Sequence, residues 1–91
     1  MKEKLKAYIE HHVRASVADI LLIAEEYKPA DSDFDTISAV IWERGDTADI
    51  CHAAHTGGRI AQLDHLARTM GIELDEETTK LLKWAEVIHP E

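Results

Sequence analysis

The fold is decided by residues 5–27, which read LKAYIEHHVRASVADILLIAEEY. Apolar side chains recur in this stretch at steps of three and four residues, the period that places them on one face of an α-helix. That face consists of Leu5, Ile9, Val13, Val17, Ile20, Leu21, Ala24 and Tyr27. We therefore predict one long helix from Lys2 to Lys28. Pro29 ends it, because proline lacks the backbone N–H that a helix interior requires.

The segment from Phe34 to Glu43 has mixed signals. Its aliphatic and tryptophan side chains have high strand propensity, whereas Phe34, Ile37 and Ile41 keep helical spacing. A helix is favoured, because a single strand would have no partner for its backbone hydrogen bonds. Asp31, Ser32 and Asp33 are each candidates to cap this helix at its start.

A further helix begins at Asp46 or Thr47, after a stop at Gly45, and carries apolar residues in helical phase from Ile50 to Met70. The pair Gly57 and Gly58 interrupts it. Each glycine inside a helix costs about 1 kcal/mol relative to alanine. The pair therefore marks either a close approach of another helix to a continuous one, or a break between two shorter helices. The unbroken phase favours the continuous helix.

The last helix starts at Asp75, after a helix C-cap at Gly71. Its expected buried stripe is Leu81, Leu82, Ala85 and Ile88, and Pro90 closes the chain. We predict an all-α class with a single domain over residues 1–91. It is a small bundle of four to five helices. Because a core of this size is modest, we expect dimerisation to complete it.

Charge and composition exclude several functions. The chain carries 18 acidic and 10 basic residues, a net charge of −8, so phosphate backbones would be repelled and direct nucleic-acid binding is not expected. No apolar run is long enough to cross a membrane. The single cysteine, Cys51, cannot form an intrachain disulfide, which favours a reducing, cytoplasmic location.

Histidine and cysteine are concentrated near the middle of the predicted third helix. Cys51 and His55 are four residues apart, and His52 and His55 three apart, so a pair of these side chains could chelate one metal ion from a single helical turn. Further ligands would have to come from elsewhere. The alternative is that these are surface residues that hydrogen-bond to their neighbours.

The run Ala53-Ala54-His55-Thr56-Gly57-Gly58 resembles the histidine region of phosphotransfer domains, which are helical bundles. The resemblance covers about six residues. It implies that His55 is solvent-exposed and accepts a phosphoryl group. The lysine that this family places shortly after its histidine is missing, and Arg59 would have to supply the positive charge.

No nucleophile elbow or phosphate-cradling glycine loop is present, so we expect neither an enzyme nor a bound cofactor. Tryptophan is favoured as an interface anchor, and we assign Trp42, Trp84, Ile37 and Ile41 to an interface. The sequence thus predicts a non-enzymatic, acidic helical interaction or regulatory module. It would form a homodimer and engage a basic or nucleic-acid-binding partner protein. The alternative is a metal-binding or phosphotransfer protein centred on His55.

Overall fold

The computed structural model describes residues 2–86, and these residues form four α-helices joined by short loops. The helices are α1 (Lys2–Tyr27), α2 (Phe34–Arg44), α3 (Thr47–Thr69) and α4 (Glu76–Trp84). The all-α class is confirmed, and no strand occurs between residues 2 and 86. The predictions that involve Ile88 and Pro90 lie outside the described residues.

Aspartates begin three of the four helices. The side chains of Asp33, Asp46 and Asp75 accept hydrogen bonds from the backbone N–H three residues ahead, at 3.0, 2.8 and 2.7 Å respectively. Each bond satisfies one of the donors that the first turn of a helix leaves free. The Asp33 cap stabilises the first turn of α2, whose side chains also have high strand propensity.

Helix α3 ends in a Schellman motif. The N–H of Ile72 donates to the carbonyl of Ala67 at 2.8 Å, and the N–H of Gly71 donates to that of Arg68 at 3.2 Å. Gly71 follows the capping residue Met70 and has a φ of +65°, a conformation that glycine adopts without steric cost. The sequence had placed the end of this helix within one residue of the observed position.

Helix α1 forms the centre of the molecule, because α2, α3 and α4 all pack against it. Its buried residues are Ile9, Val13, Ser16, Val17, Ile20 and Ala24. Leu21 had been predicted on the same face, but it is 41% exposed. Leu21 lies at the edge of the covered face, between buried Ile20 and Leu22, which is 68% exposed.

The molecule is elongated. Its radius of gyration is 13.6 Å, whereas a compact chain of this length has about 12 Å. The longest dimension, 42 Å, follows from the length of α1. The three shorter helices cover one side of α1 and leave the other side in solvent. None of the four helices in residues 2–86 has both the length and the apolarity needed to cross a bilayer.

Side-chain contacts connect the helix ends across the fold. The Arg14 guanidinium lies 2.5 Å from the Asp75 carboxylate, and the Asp75 N–H donates to Glu10 at 2.7 Å. The indole N–H of Trp84 donates to the carbonyl of Ser32 at 2.8 Å. These contacts attach α4 to α1 and to the loop between α1 and α2.

Candidate functional site

An apolar groove lies between α2 and α3, and Ile20 of α1 forms part of its floor. Its volume is about 230 Å³. The walls come from both shorter helices: Phe34, Ser38, Ile41 and Trp42 on α2, and Ile50, Ala53, Ala54, Gly57 and Gly58 on α3. The α2 wall is therefore aromatic, and the α3 wall is built almost entirely from residues with little or no side chain.

Trp42 stands at the edge of the α2 wall and is 73% exposed. Its neighbour Ile41 points into the core and is 3% exposed. A tryptophan offers a large apolar surface with few rotamers, and burying it against a partner yields much binding energy. In the single chain most of that surface faces water.

The α3 wall is open because of its two glycines. Helix α3 runs continuously through Gly57 and Gly58, as predicted. The predicted close approach of another helix is absent from residues 2–86, since a Cβ atom at either glycine would meet nothing within 4 Å. The glycines therefore leave space that no described part of the chain fills.

A tight turn at Gly45 joins α2 to α3, the two helices that form the walls of the groove. The N–H of Gly45 donates to the carbonyl of Ile41 at 2.8 Å, and a Cβ at Gly45 would lie 2.4 Å from that same oxygen. Only glycine allows the chain to turn so tightly here. The floor and the α3 wall are joined by the Tyr27 hydroxyl of α1, which donates to the Asp49 carboxylate of α3. That hydrogen bond is the main cause that raises the pKa of Tyr27 to about 12.

The surroundings of α2 are strongly acidic. Between residues 31 and 49 the only basic residue is Arg44. The carboxylates in this segment are Asp31, Asp33, Asp35, Glu43, Asp46 and Asp49. Hydrogen bonds from Thr36, through its side chain and its backbone N–H, hold the pKa of Asp33 below its usual value. The groove therefore lies beside a negative surface at neutral pH.

The four residues predicted to form an interface differ in how far the structure buries them. Ile37 is 1% exposed and Ile41 is 3% exposed, so both belong to the core of the single chain and offer almost no surface to a partner. Trp84 is half-buried, and its ring meets that of Phe34 edge to face, with centroids 5.4 Å apart. Of the four residues, Trp42 is the one left largely in solvent.

The three predicted metal ligands lie close together on the exposed surface of α3. Cys51, His52 and His55 are all exposed on α3. Within residues 2–86 no group of three or more histidine, cysteine, aspartate or glutamate side chains is arranged to hold a metal ion. Within the described residues no other element brings a further ligand to this face of the helix, so the metal site stays a prediction.

His55 lies instead on a shallow polar depression next to the groove. The depression is lined by Ala54, His55, Gly58, Arg59 and Gln62. His55 and Arg59 are both exposed and are one helical turn apart. Solvent therefore reaches the imidazole beside a cationic side chain.

Comparison with known proteins gives no relative, because the chain matches no family model, no curated protein and no solved structure.

Sequence reasoning missed most of the groove. The alanines Ala53 and Ala54 lie one turn before Gly57 and Gly58, so the four small residues share one side of α3. That repeat of small residues was visible in the sequence as a signal for a thin helix face. The contribution of Phe34 and Ser38 depends on how α2 lies on α3, which no local pattern specifies.

Proposed function

We propose that this protein is a non-enzymatic, acidic helical interaction module that binds another protein through the groove between α2 and α3. The observation that carries the proposal is the open wall at Gly57 and Gly58 beside the exposed indole of Trp42. An empty apolar slot and a large exposed anchor on the same surface are features of a site that is completed by a partner.

The energetic cost of the glycine pair also supports a binding site at this wall of the groove. Two glycines inside a helix cost about 2 kcal/mol relative to two alanines. Nothing in the described chain requires the space, since a Cβ at either position would be free of contacts. Within residues 2–86 no contact offsets this cost, whereas a partner that packs closely on α3 would do so.

The size of the groove favours a polypeptide ligand. At about 230 Å³ it is smaller than the roughly 300–1,000 Å³ clefts that hold drug-sized molecules. It is suited to one or two apolar side chains. An amphipathic helix that inserts its apolar anchors between two helices binds in this manner.

The charge of the surface specifies the chemistry of that helix. The acidic segment 31–49 adjoins the groove, and the whole chain has a net charge of −8. A partner with lysine and arginine beside its apolar anchors would be steered to this surface and held there. We propose a basic protein as the partner, including a nucleic-acid-binding protein whose cationic segment this module would cover. Cys51 is an exposed free thiol, which fits a reducing compartment such as the cytoplasm.

The test uses Trp42 as its own reporter. In a Trp84→Phe background, the protein is titrated with a synthetic amphipathic peptide that has leucine on one helical face and lysine on the other, called here the Lys–Leu peptide. We expect the fluorescence of Trp42 to shift to shorter wavelength as the indole leaves water. We also expect the affinity to fall as salt is added.

Two controls make this test specific. Gly57→Leu fills the groove and should abolish binding, whereas Ala39→Leu adds the same side chain to an exposed position outside the groove lining and should not. A peptide with glutamate in place of lysine should not bind. Equal binding by the two leucine variants would contradict the proposal, because attraction to the acidic surface alone would then explain the result.

His55 gives a second candidate function, phosphotransfer, which is favoured by its exposure beside Arg59. A neutral imidazole nitrogen would attack the phosphorus of an acyl phosphate. An N–P bond would form as the P–O bond to the carboxylate breaks, and the imidazole proton would pass to solvent. Incubation with acetyl phosphate should give an acid-labile modification that is lost in His55→Gln and kept in His52→Gln. No modification of the wild-type chain would exclude this candidate.

A further inference from the structure

Helix α1 carries a second apolar surface on the side that faces away from the core. Tyr8, Ala15, Ala18 and Leu22 are exposed there, together with His11. Tyr8 is 50% exposed and Leu22 is 68% exposed. Their spacing alternates between three and four residues, the pattern of a helix seam that packs on another helix. We call these five residues the outer face of α1.

Two pairs of residues on this side of α1, which do not include His11 and Ala18, are placed symmetrically about Ala15. Tyr8 lies seven residues before it and Leu22 seven residues after it, while Lys4 and Glu26 lie eleven residues away on either side. Lys4 is one turn before Tyr8, and Glu26 is one turn after Leu22. A second copy of α1, turned end to end, would therefore place Tyr8 against Leu22 and Lys4 against Glu26.

Basic residues are more frequent in the first half of α1 and acidic residues in the second half. Residues 2–14 contain four basic and two acidic side chains, whereas residues 15–28 contain one basic and three acidic ones. Lys4 and Glu26 are exposed, and neither forms an ion pair with another described residue. An antiparallel pair of α1 helices brings opposite charges together at both ends, while a parallel pair would bring like charges together.

We propose that two copies of this chain associate through the outer face of α1, antiparallel and about a two-fold axis near Ala15. Alanine at the crossing allows the helices to approach to about 8 Å, the close end of the usual range. The interface is isologous, so every contact occurs twice. It lies on the side of α1 opposite the core, and it is independent of the groove between α2 and α3.

The first test is the oligomeric state by analytical ultracentrifugation. We expect the wild-type chain to dimerise and Leu22→Glu to raise the dissociation constant by about 100-fold or more, since each lost leucine counts twice. Trp42→Glu is the matched control: it places the same charge at a similarly exposed site on the other surface and should leave the dimer intact. Both variants should keep the helical circular dichroism of the wild type, because neither side chain belongs to the core.

Charge reversal tests the direction of the helices. Lys4→Glu and Glu26→Lys should each raise the dissociation constant by about threefold to tenfold, because each weak surface pair occurs twice. The double variant should restore wild-type affinity. In a parallel dimer each reversal would leave like charges opposite each other, so neither single variant would raise the dissociation constant.

A cysteine at the proposed axis tests the register. In a Cys51→Ser background, Ala15→Cys should oxidise to a disulfide-linked dimer, because the two copies of residue 15 would face each other. Ala39→Cys, exposed on α2, should remain largely unlinked. A monomeric wild-type chain at all concentrations would overturn the proposal. So would a dimer that Leu22→Glu leaves unchanged. Binding of the Lys–Leu peptide in the groove would survive either result.

Discussion

Replacing Gly57 and Gly58 by alanine should stabilise the protein, although both positions line the proposed site. Helix α3 is continuous at these residues, and a Cβ at either one would have no neighbour within 4 Å. The substitution therefore adds no steric conflict. It removes the backbone entropy that glycine loses when it is fixed in a helix.

The size of the effect follows from helix propensity. Each glycine-to-alanine change in a helix interior contributes about 1 kcal/mol to the free energy of unfolding. The two new methyl groups point about 100° apart around the helix and should not interfere, so the double variant gains about 2 kcal/mol. For a domain of this size, each kcal/mol raises the melting temperature by about 4–8 °C.

Thermal and urea unfolding, followed by circular dichroism, measure this gain. Gly71→Ala is the matched control, because it forces an alanine into a φ of +65° and should lower stability by about 1–2 kcal/mol. The double alanine variant should at the same time bind the Lys–Leu peptide more weakly, because its methyl groups narrow the groove. Stability would then rise while binding falls.

A neutral or destabilising result for Gly57→Ala and Gly58→Ala would refute the reasoning. It would show that another part of the protein occupies the space, or that α3 is broken at the glycines. If the variant is more stable and still binds the peptide at full strength, α3 is continuous as described. The open wall at the two glycines is then not required for binding, which would contradict the proposal.

The other contacts of the fold give four further predictions. Ile60→Ala should lower the free energy of unfolding by about 2–5 kcal/mol in urea denaturation, because Ile60 is fully buried. Tyr27 should ionise near pH 12 in an absorbance titration, so its contribution to stability is present below pH 10 and lost as the pH rises towards 12; Asp49→Asn should lower that pKa. Hydrogen bonding by Thr78 and the charge of Arg14 lower the pKa of Asp75, so Asp75→Asn should destabilise the protein at neutral pH. The difference between wild type and variant should shrink as the pH falls below about 4. Trp84→Phe should cost about 1 kcal/mol in thermal unfolding, because it removes the hydrogen bond to the Ser32 carbonyl.

The helices themselves could be predicted from local signals. Asp33, Asp46 and Asp75 are capping residues whose side chains satisfy the first N–H groups, and Gly71 provides the left-handed residue that ends α3. These signals act over three or four residues, so the sequence alone contains them. Apolar residues keep helical spacing along α3 before and after Gly57 and Gly58, which likewise indicated that the helix continues through them.

The site could not be predicted to the same extent, because periodicity identifies an apolar face without identifying what covers it. Ile37 and Ile41 were assigned to an interface, yet α1 and α3 of the same chain bury them. Trp84 is partly covered by Phe34 and the loop at Ser32, a contact between residues about fifty positions apart. The groove is a product of how α2 and α3 are placed on α1, and that placement depends on the whole core.

The central claim, that the groove between α2 and α3 receives a cationic helix, is tested most directly by nuclear magnetic resonance. Isotopically labelled protein is titrated with the Lys–Leu peptide. We expect the largest chemical-shift changes at the amides of Gly57 and Gly58 and at the indole N–H of Trp42, and we expect them to vanish in Gly57→Leu. Changes spread evenly over the acidic surface, or largest on α4, would contradict the claim.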